Sequence, residues 1–147
     1  MATKPVKNGR ITSGFGWRVD PFDKTKKEFH PGIDIAPQAD GSDPHPEIYN
    51  VWKSQVYVMG FSKSFGNRVW VKLLDGPHIG LYMVYPHMQK INTALKPGMI
   101  IGEGTLMGWM GSTGLSTGVH THLEIRPSVE KPGDAVNPLE ISQMYIL

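Results

Sequence analysis

The spacing of glycine and proline constrains this chain more than any other feature. Seventeen glycines and twelve prolines are spread over 147 residues. In a helix interior each proline costs about 3 kcal/mol and each glycine about 1 kcal/mol relative to alanine. No segment between them sustains a helical period. The glycines follow no three-residue repeat, which excludes collagen. What remains is a series of short strand patterns separated by turns. Strands are expected within 11–19, over 34–36, in one or two pieces within 48–59, over 68–74, over 81–85 ending at Pro86, within 96–102, over 107–111 and over 119–125. Polar or glycine-rich loops are expected at 21–27, 37–46, 60–67 and 112–118, while 88–95 is ambiguous and allows one turn of helix. The expected fold is mainly β, a mostly antiparallel sheet with long loops at its rim.

Length allows one domain with a real core, placed at 11–147 behind an arm at 1–10. A net charge of +2 is too small to argue for a nucleic-acid partner. There is no cysteine, so disulfides, thiolate catalysis and Cys-based zinc sites are excluded, and any metal must sit on nitrogen and oxygen ligands. The first residues, M-A-T-K-P-V-K-N-G, show no signal peptide, and no run is long enough for a membrane span.

The chemistry concentrates in six histidines. Alternate residues of a strand share a face, so in G-V-H-T-H-L-E-I-R His120 and His122 point together, with Glu124 behind them. Alone, such a pair is as well read as two polar residues facing solvent. H-P-G-I-D adds a histidine and a carboxylate flanking a Pro-Gly turn that can fold His30 back toward Asp34. Two imidazole nitrogens and one carboxylate oxygen form an open catalytic zinc set. His30, Asp34 and one of the paired histidines therefore make a candidate zinc site. In Y-P-H-M, His87 follows a strand end and could move a proton or steady a charged intermediate. His45 and His78 read as surface residues. The four tryptophans, Trp17, Trp52, Trp70 and Trp109, read as core and rim packing. H-E-x-x-H, Walker A and the G-x-S-x-G elbow are all absent. S-T-G-L-S-T-G at 112–118 is hydroxyl-rich and could line a substrate groove.

Taken in order, H-P-G-I-D-I-A, Y-P-H-M and G-S-T-G-L-S-T-G-V-H-T-H-L-E-I-R resemble the lysostaphin-type, or LytM-like, zinc endopeptidases. T-S-G-F-G-W-R, G-N-R-V-W-V-K and K-P-G-M-I-I-G also fit, so the resemblance runs from about Ile11 to Arg126. It implies a narrow groove in an antiparallel sheet, walled by loops. It implies one zinc ion held by His30, Asp34 and His122, with His120 and His87 as catalytic histidines. Base duty falls to His120 and oxyanion support to His87, and Glu124 is a candidate partner for an imidazole. The implied substrate is bacterial peptidoglycan, cut at peptide bonds of the stem or cross-bridge by a monomer. Departures include Thr121 between the paired histidines, Pro86 before the rim histidine, S-Q at 54 and 55, and extra residues between Gly102 and Gly111. Thr121 is expected to point away from the metal and affect the chemistry little, and Pro86 to stiffen its corner; the extra residues and the 37–46 loop could reshape a groove wall and so bear on substrate preference. Since the wall lies outside the membrane, the enzyme is expected to be made in the cytoplasm and to act after release, as a phage lysin or virion-associated protein, or to be a trimmed domain of a secreted enzyme. The competing expectations are a silent wall-binding member and a structural phage or envelope protein.

Overall fold

The computed structural model describes residues 2–146. Its strands are β1 (Gly9–Ser13), β2 (Gly16–Val19), β3 (Lys27–His30), β4 (Ile33–Pro37), β5 (Glu47–Tyr49), β6 (Ser54–Ser62), β7 (Gly66–Leu73), β8 (Tyr82–Ile91), β9 (Ile100–Ile101), β10 (Leu106–Met110) and β11 (Thr121–Arg126). One short helix, α1 (Leu139–Gln143), lies near the end of the chain. Nine strands form one sheet with the path β1-β4-β11-β8-β7-β6-β9, to which β10 and β5 attach beside β8. The β2–β3 hairpin stands apart as a sheet of its own. Every strand pair is antiparallel, as the turn-rich sequence led us to expect.

The core gathers Ile33 and Ile35 of β4, Met83 and Tyr85 of β8, and Leu123 and Ile125 of β11 over the inward residues of β6, β7 and β10. A buried polar knot closes one end. The Tyr85 hydroxyl donates to Asn50 Oδ1 and accepts the Val51 N–H, while Asn50 Nδ2 donates to the Trp52 and Gly102 carbonyls. Each polar group there is satisfied, as burial demands.

The structure departs from the sequence expectation in four places. Residues 3–10 do not project as an arm. Val6 is fully buried, its N–H and C=O both bond the Tyr145 hydroxyl, and the Tyr49 N–H donates to the Pro5 carbonyl. Residues 60–67 are mostly strand, because β6 and β7 extend to a tight connection at 63–65. The tail after Arg126, whose sequence reads as loop up to a short apolar end, carries α1, whose Ile141 is buried in the core.

The fourth departure matters most. β8 does not end at Pro86 but runs on to Ile91, so no helical turn forms in 88–95. Opposite β7, Tyr85 pairs Val69 and Met88 pairs Asn67, which sets Pro86 and His87 against Arg68 alone. That is a bulge, the one place inside a sheet where a residue lacking an N–H is tolerated. His87 takes φ 58°, a left-handed conformation costing a non-glycine residue about 1–2 kcal/mol. Its N–H leaves the ladder and bonds the Phe65 carbonyl at 2.7 Å.

Candidate metal centre and active site

Strand register builds the centre. β11 pairs β4 with His122 directly opposite Asp34, and β1 brings Ser13 to the other side of Asp34. His30 ends β3 and reaches the same point through Pro31 and Gly32. A side chain at Gly32 would run into the Leu123 carbonyl and meet the His122 ring at 3.0 Å, so the turn passes over β11 only as glycine. Three donors converge: His30 Nε2 to His122 Nδ1 is 3.1 Å, His30 Nε2 to Asp34 Oδ1 is 3.2 Å, and His122 Nδ1 to Asp34 Oδ1 is 2.8 Å. Among the described residues, this is the group of histidine, aspartate and glutamate side chains able to hold a metal ion.

Each donor is turned inward by an outer bond. His30 Nδ1 donates to the Gly14 carbonyl at 2.8 Å, which leaves the Nε2 lone pair facing the other two. His122 Nε2 lies 2.8 Å from Glu124 Oε1, leaving Nδ1 facing inward. Asp34 Oδ2 accepts Arg18 Nη1 at 3.3 Å, leaving Oδ1 free of the arginine. Arg18 also bonds Ser13 Oγ at 2.8 Å and Glu28 Oε1 at 2.7 Å, so it ties the hairpin to the centre. Outer partners of this kind orient metal ligands and set their tautomers. The donor set suits zinc, whose nitrogen and oxygen bonds of about 2.0–2.1 Å make a tetrahedral edge of about 3.3 Å. Two of the separations, 3.1 and 3.2 Å, fall just inside that edge, and the 2.8 Å between His122 and Asp34 is shorter.

The electrostatics follow from the same contacts. Burial works against a charged His122, yet the carboxylates of Asp34 and Glu124 at its two nitrogens push it up to about 9. Asp34 feels the same burial, but hydrogen bonds from His122 and His30 hold it well below the ordinary carboxylate range. Glu124 is buried as well, and His122 and Arg126 lower it. Glu124 is therefore no solvent-facing strand end. It is 2% exposed and forms an ion pair with Arg126, whose guanidinium lies over the Trp70 and Phe65 rings.

The rings of His87 and His120 lie 5.0 Å apart. His87 Nδ1 donates to the Thr113 carbonyl at 2.7 Å, and His120 Nδ1 donates to the Gly118 carbonyl at 2.8 Å, with Ser116 Oγ at 3.2 Å. These bonds occupy Nδ1 of each ring and leave Nε2 of each turned away from the anchoring carbonyl. Burial pushes the His87 ring down, with a smaller push from His120. His120 does not belong to β11 itself; it sits in an isolated bridge to Gly111 at the mouth of the strand. Beside it an open cleft of about 210 Å³ runs between Thr12, Asp34 and Ala36 on one side and 117–120 on the other. A larger hollow of about 690 Å³, between Lys7, Arg10 and Tyr145, contains none of the five histidine and aspartate side chains.

The five residues singled out from sequence, His30, Asp34, His87, His120 and His122, therefore stand in one region as a triad and a pair. His45 and His78 lie elsewhere, bonded to the Met110 carbonyl and to Glu140. Sequence reading assigned no role to Arg18, although its place in T-S-G-F-G-W-R was the available signal. It also read the 112–118 loop for its hydroxyls, whereas its carbonyls at Thr113 and Gly118 anchor the two outer rings.

The model for Peptidase family M23 matches residues 28–138. The DD-carboxypeptidase/endopeptidase Mpg of Neisseria meningitidis serogroup B is 32% identical over 140 residues, covering 95% of this chain and 28% of that protein. The chain thus spans little more than a quarter of that relative. Among solved structures, the catalytic domain of lysostaphin from Staphylococcus simulans superposes with a TM-score of 0.73 at 23% identity, over 92% of this chain and 93% of that one. The catalytic domain of the prophage-encoded protein EnpA from Enterococcus faecalis gives 0.68 at 30% identity, over 90% of each chain. With the family match spanning three quarters of the sequence and the same sheet recurring in these structures, the chain belongs to peptidase family M23.

Proposed function

We propose that this protein is a zinc-dependent endopeptidase that cuts peptide bonds in bacterial peptidoglycan. The observation that carries the reading is the inward-turned donor triad, His30 Nε2, Asp34 Oδ1 and His122 Nδ1, each with its outer atom engaged elsewhere. Zinc held there would supply a Lewis acid that activates water and polarises the scissile carbonyl. The protein's own part is proton handling. A bare imidazole Nε2 can accept a proton from the attacking water, and His120, at the mouth of the cleft, takes that role. His87 is pinned at Nδ1 and held toward its neutral form by burial, so it supports the oxyanion through Nε2 only in the fraction of molecules where that nitrogen has already taken a proton from bulk water. His120 then returns the proton it took from the attacking water to the leaving amine. The carbonyls of Thr113 and Gly118 hold both rings in place throughout.

Peptidoglycan as substrate is supported by the kinship with the Neisseria DD-carboxypeptidase/endopeptidase. Because that polymer lies outside the membrane, we further propose action after release, as a lysin. No helix among the described residues is long and apolar enough to cross a membrane. The test pairs metal content with chemistry. Purified protein should carry one zinc per chain and release new amino groups from purified peptidoglycan. His30→Ala should lose the metal, whereas His120→Ala should keep it and lose turnover. Metal-replete protein that releases no amine refutes the enzyme; a His120→Ala protein without metal refutes the division of roles.

A further inference from the structure

The β2–β3 hairpin has two different faces. Its register sets Gly16 against His30 and Arg18 against Glu28 on the inner side, facing the metal triad, and Trp17 against Phe29 and Val19 against Lys27 on the other. On that outer face Trp17 is 75% exposed, and Phe22, in the connecting turn, is 80% exposed. Trp17 is braced edge-on against Phe29 at 5.6 Å, and Phe29 against Phe15 at 5.1 Å. An aromatic surface kept in fixed pose but uncovered marks an interaction site, because little side-chain freedom is lost when it is covered.

The charges around it are sorted. Asp20 Oδ1 caps the Phe22 and Asp23 N–H groups, Asp23 Oδ1 accepts the Thr25 N–H and hydroxyl, and Glu28 faces inward to Arg18. The acids of the hairpin are thus occupied by its own turn and by the site. Lys24 and Lys27 have no ion-pair partner among the described residues. The outer face therefore offers exposed rings flanked by unpaired cations, one strand's thickness from His30.

We infer that this face grips the glycan strand of the polymer, with sugar rings stacked on Trp17 and Phe29 and carboxylates met by Lys24 and Lys27. The inference rests on the peptidoglycan reading above. A surface of rings with cations suits a polymer whose backbone is sugar and whose branches carry carboxylates. Its position on the reverse of the strand that supplies His30 would hold such a polymer beside the site while a peptide branch enters the cleft.

The test uses the zinc-loaded His120→Ala protein, so that the polymer stays intact, and as the probe glycan chains stripped of peptide at the amide bond to the sugar, which leaves a free lactyl carboxylate on alternate sugars for the lysines to meet. Trp17→Ala with Phe29→Ala in that background should weaken binding about tenfold or more, the usual cost of losing a buried aromatic contact. Phe61→Ala, a change at a comparably exposed ring on β6, should retain it. Lys24→Gln with Lys27→Gln should weaken binding at low salt and matter little at high salt. Retained zinc content and thermal midpoint show that the variants are folded. Unchanged binding by the Trp17/Phe29 variant overturns the proposal, and so does a parent protein that binds vesicles of phosphatidylglycerol and phosphatidylcholine but not glycan. If glycan binding is lost as expected while the native protein cuts no peptide bond, the enzyme reading fails and the grip stands. If the native protein cuts while the variant binds undiminished, the grip alone fails.

Discussion

Stripping the metal should turn the centre from a zinc site into a proton site, and the structure gives the size of the effect. His122 lies between two carboxylates and is pushed up to about 9, against about 6.5 in an unfolded chain. Its folded value is the higher one, so the protonated ring stabilises the fold fully below about pH 6.5, and this is lost as pH rises through 9. A rise from about 6.5 to about 9 makes the loss about 3 kcal/mol. At pH 7 zinc must also displace this proton, which weakens its apparent affinity about a hundredfold relative to the fully deprotonated site. The assay is urea unfolding in chelator at pH 6, 7.5 and 9, with His122 followed by ring-proton NMR. Chelated protein should lose most of its margin across that range and show a ring midpoint near 9. Zinc-loaded protein, with no proton on Nδ1, should lack that decline. A chelated protein equally stable at pH 6 and 9, or a His122 midpoint near 6.5, would refute the reasoning.

Three further outcomes follow from single contacts. Thr121 is fully buried, and its hydroxyl finds no hydrogen-bond partner among the described residues; Thr121→Val should raise unfolding stability by about 1 kcal/mol, read from urea midpoints. Gly32→Ala forces a methyl against β11 beside His122; zinc should fall well below one per chain, with thermal stability down by about 1–3 kcal/mol. Arg18→Met frees Asp34 Oδ2; competition with a chromogenic chelator should show zinc held about 10–100-fold more weakly, with the far-ultraviolet spectrum unchanged.

Much of the fold was legible because alternation and turn chemistry are local. Eight of the expected strand regions hold strands, and the Pro-Gly turn does return His30 to Asp34 at 3.2 Å. Pro86 misled for a physical reason. A proline normally ends pairing, but here the extra residue of a bulge accommodates it, and what allows the bulge is Arg68 on β7 and the Phe65 carbonyl in the connection that precedes it. Val6 was equally invisible, since P-V-K in a polar stretch gives no sign that a tyrosine 139 residues away will bond its backbone. Arg18 could be placed on a strand but not assigned, because its partner Asp34 belongs to a different sheet. The outer pair, His87 and His120, showed its residue types in the sequence, while its anchoring by the Thr113 and Gly118 carbonyls depends on loop path.

The pairing of His122 with Asp34 spans 88 positions. While the protein is being synthesised, a chain that has not yet passed residue 122 has two of the three donors and no ladder to align them. Even a finished chain lacks the triangle until β11 docks between β4 and β8. Completion of the triad therefore waits for the last strand of the sheet in chain order. A chain stopped short of β11 holds no complete donor triangle.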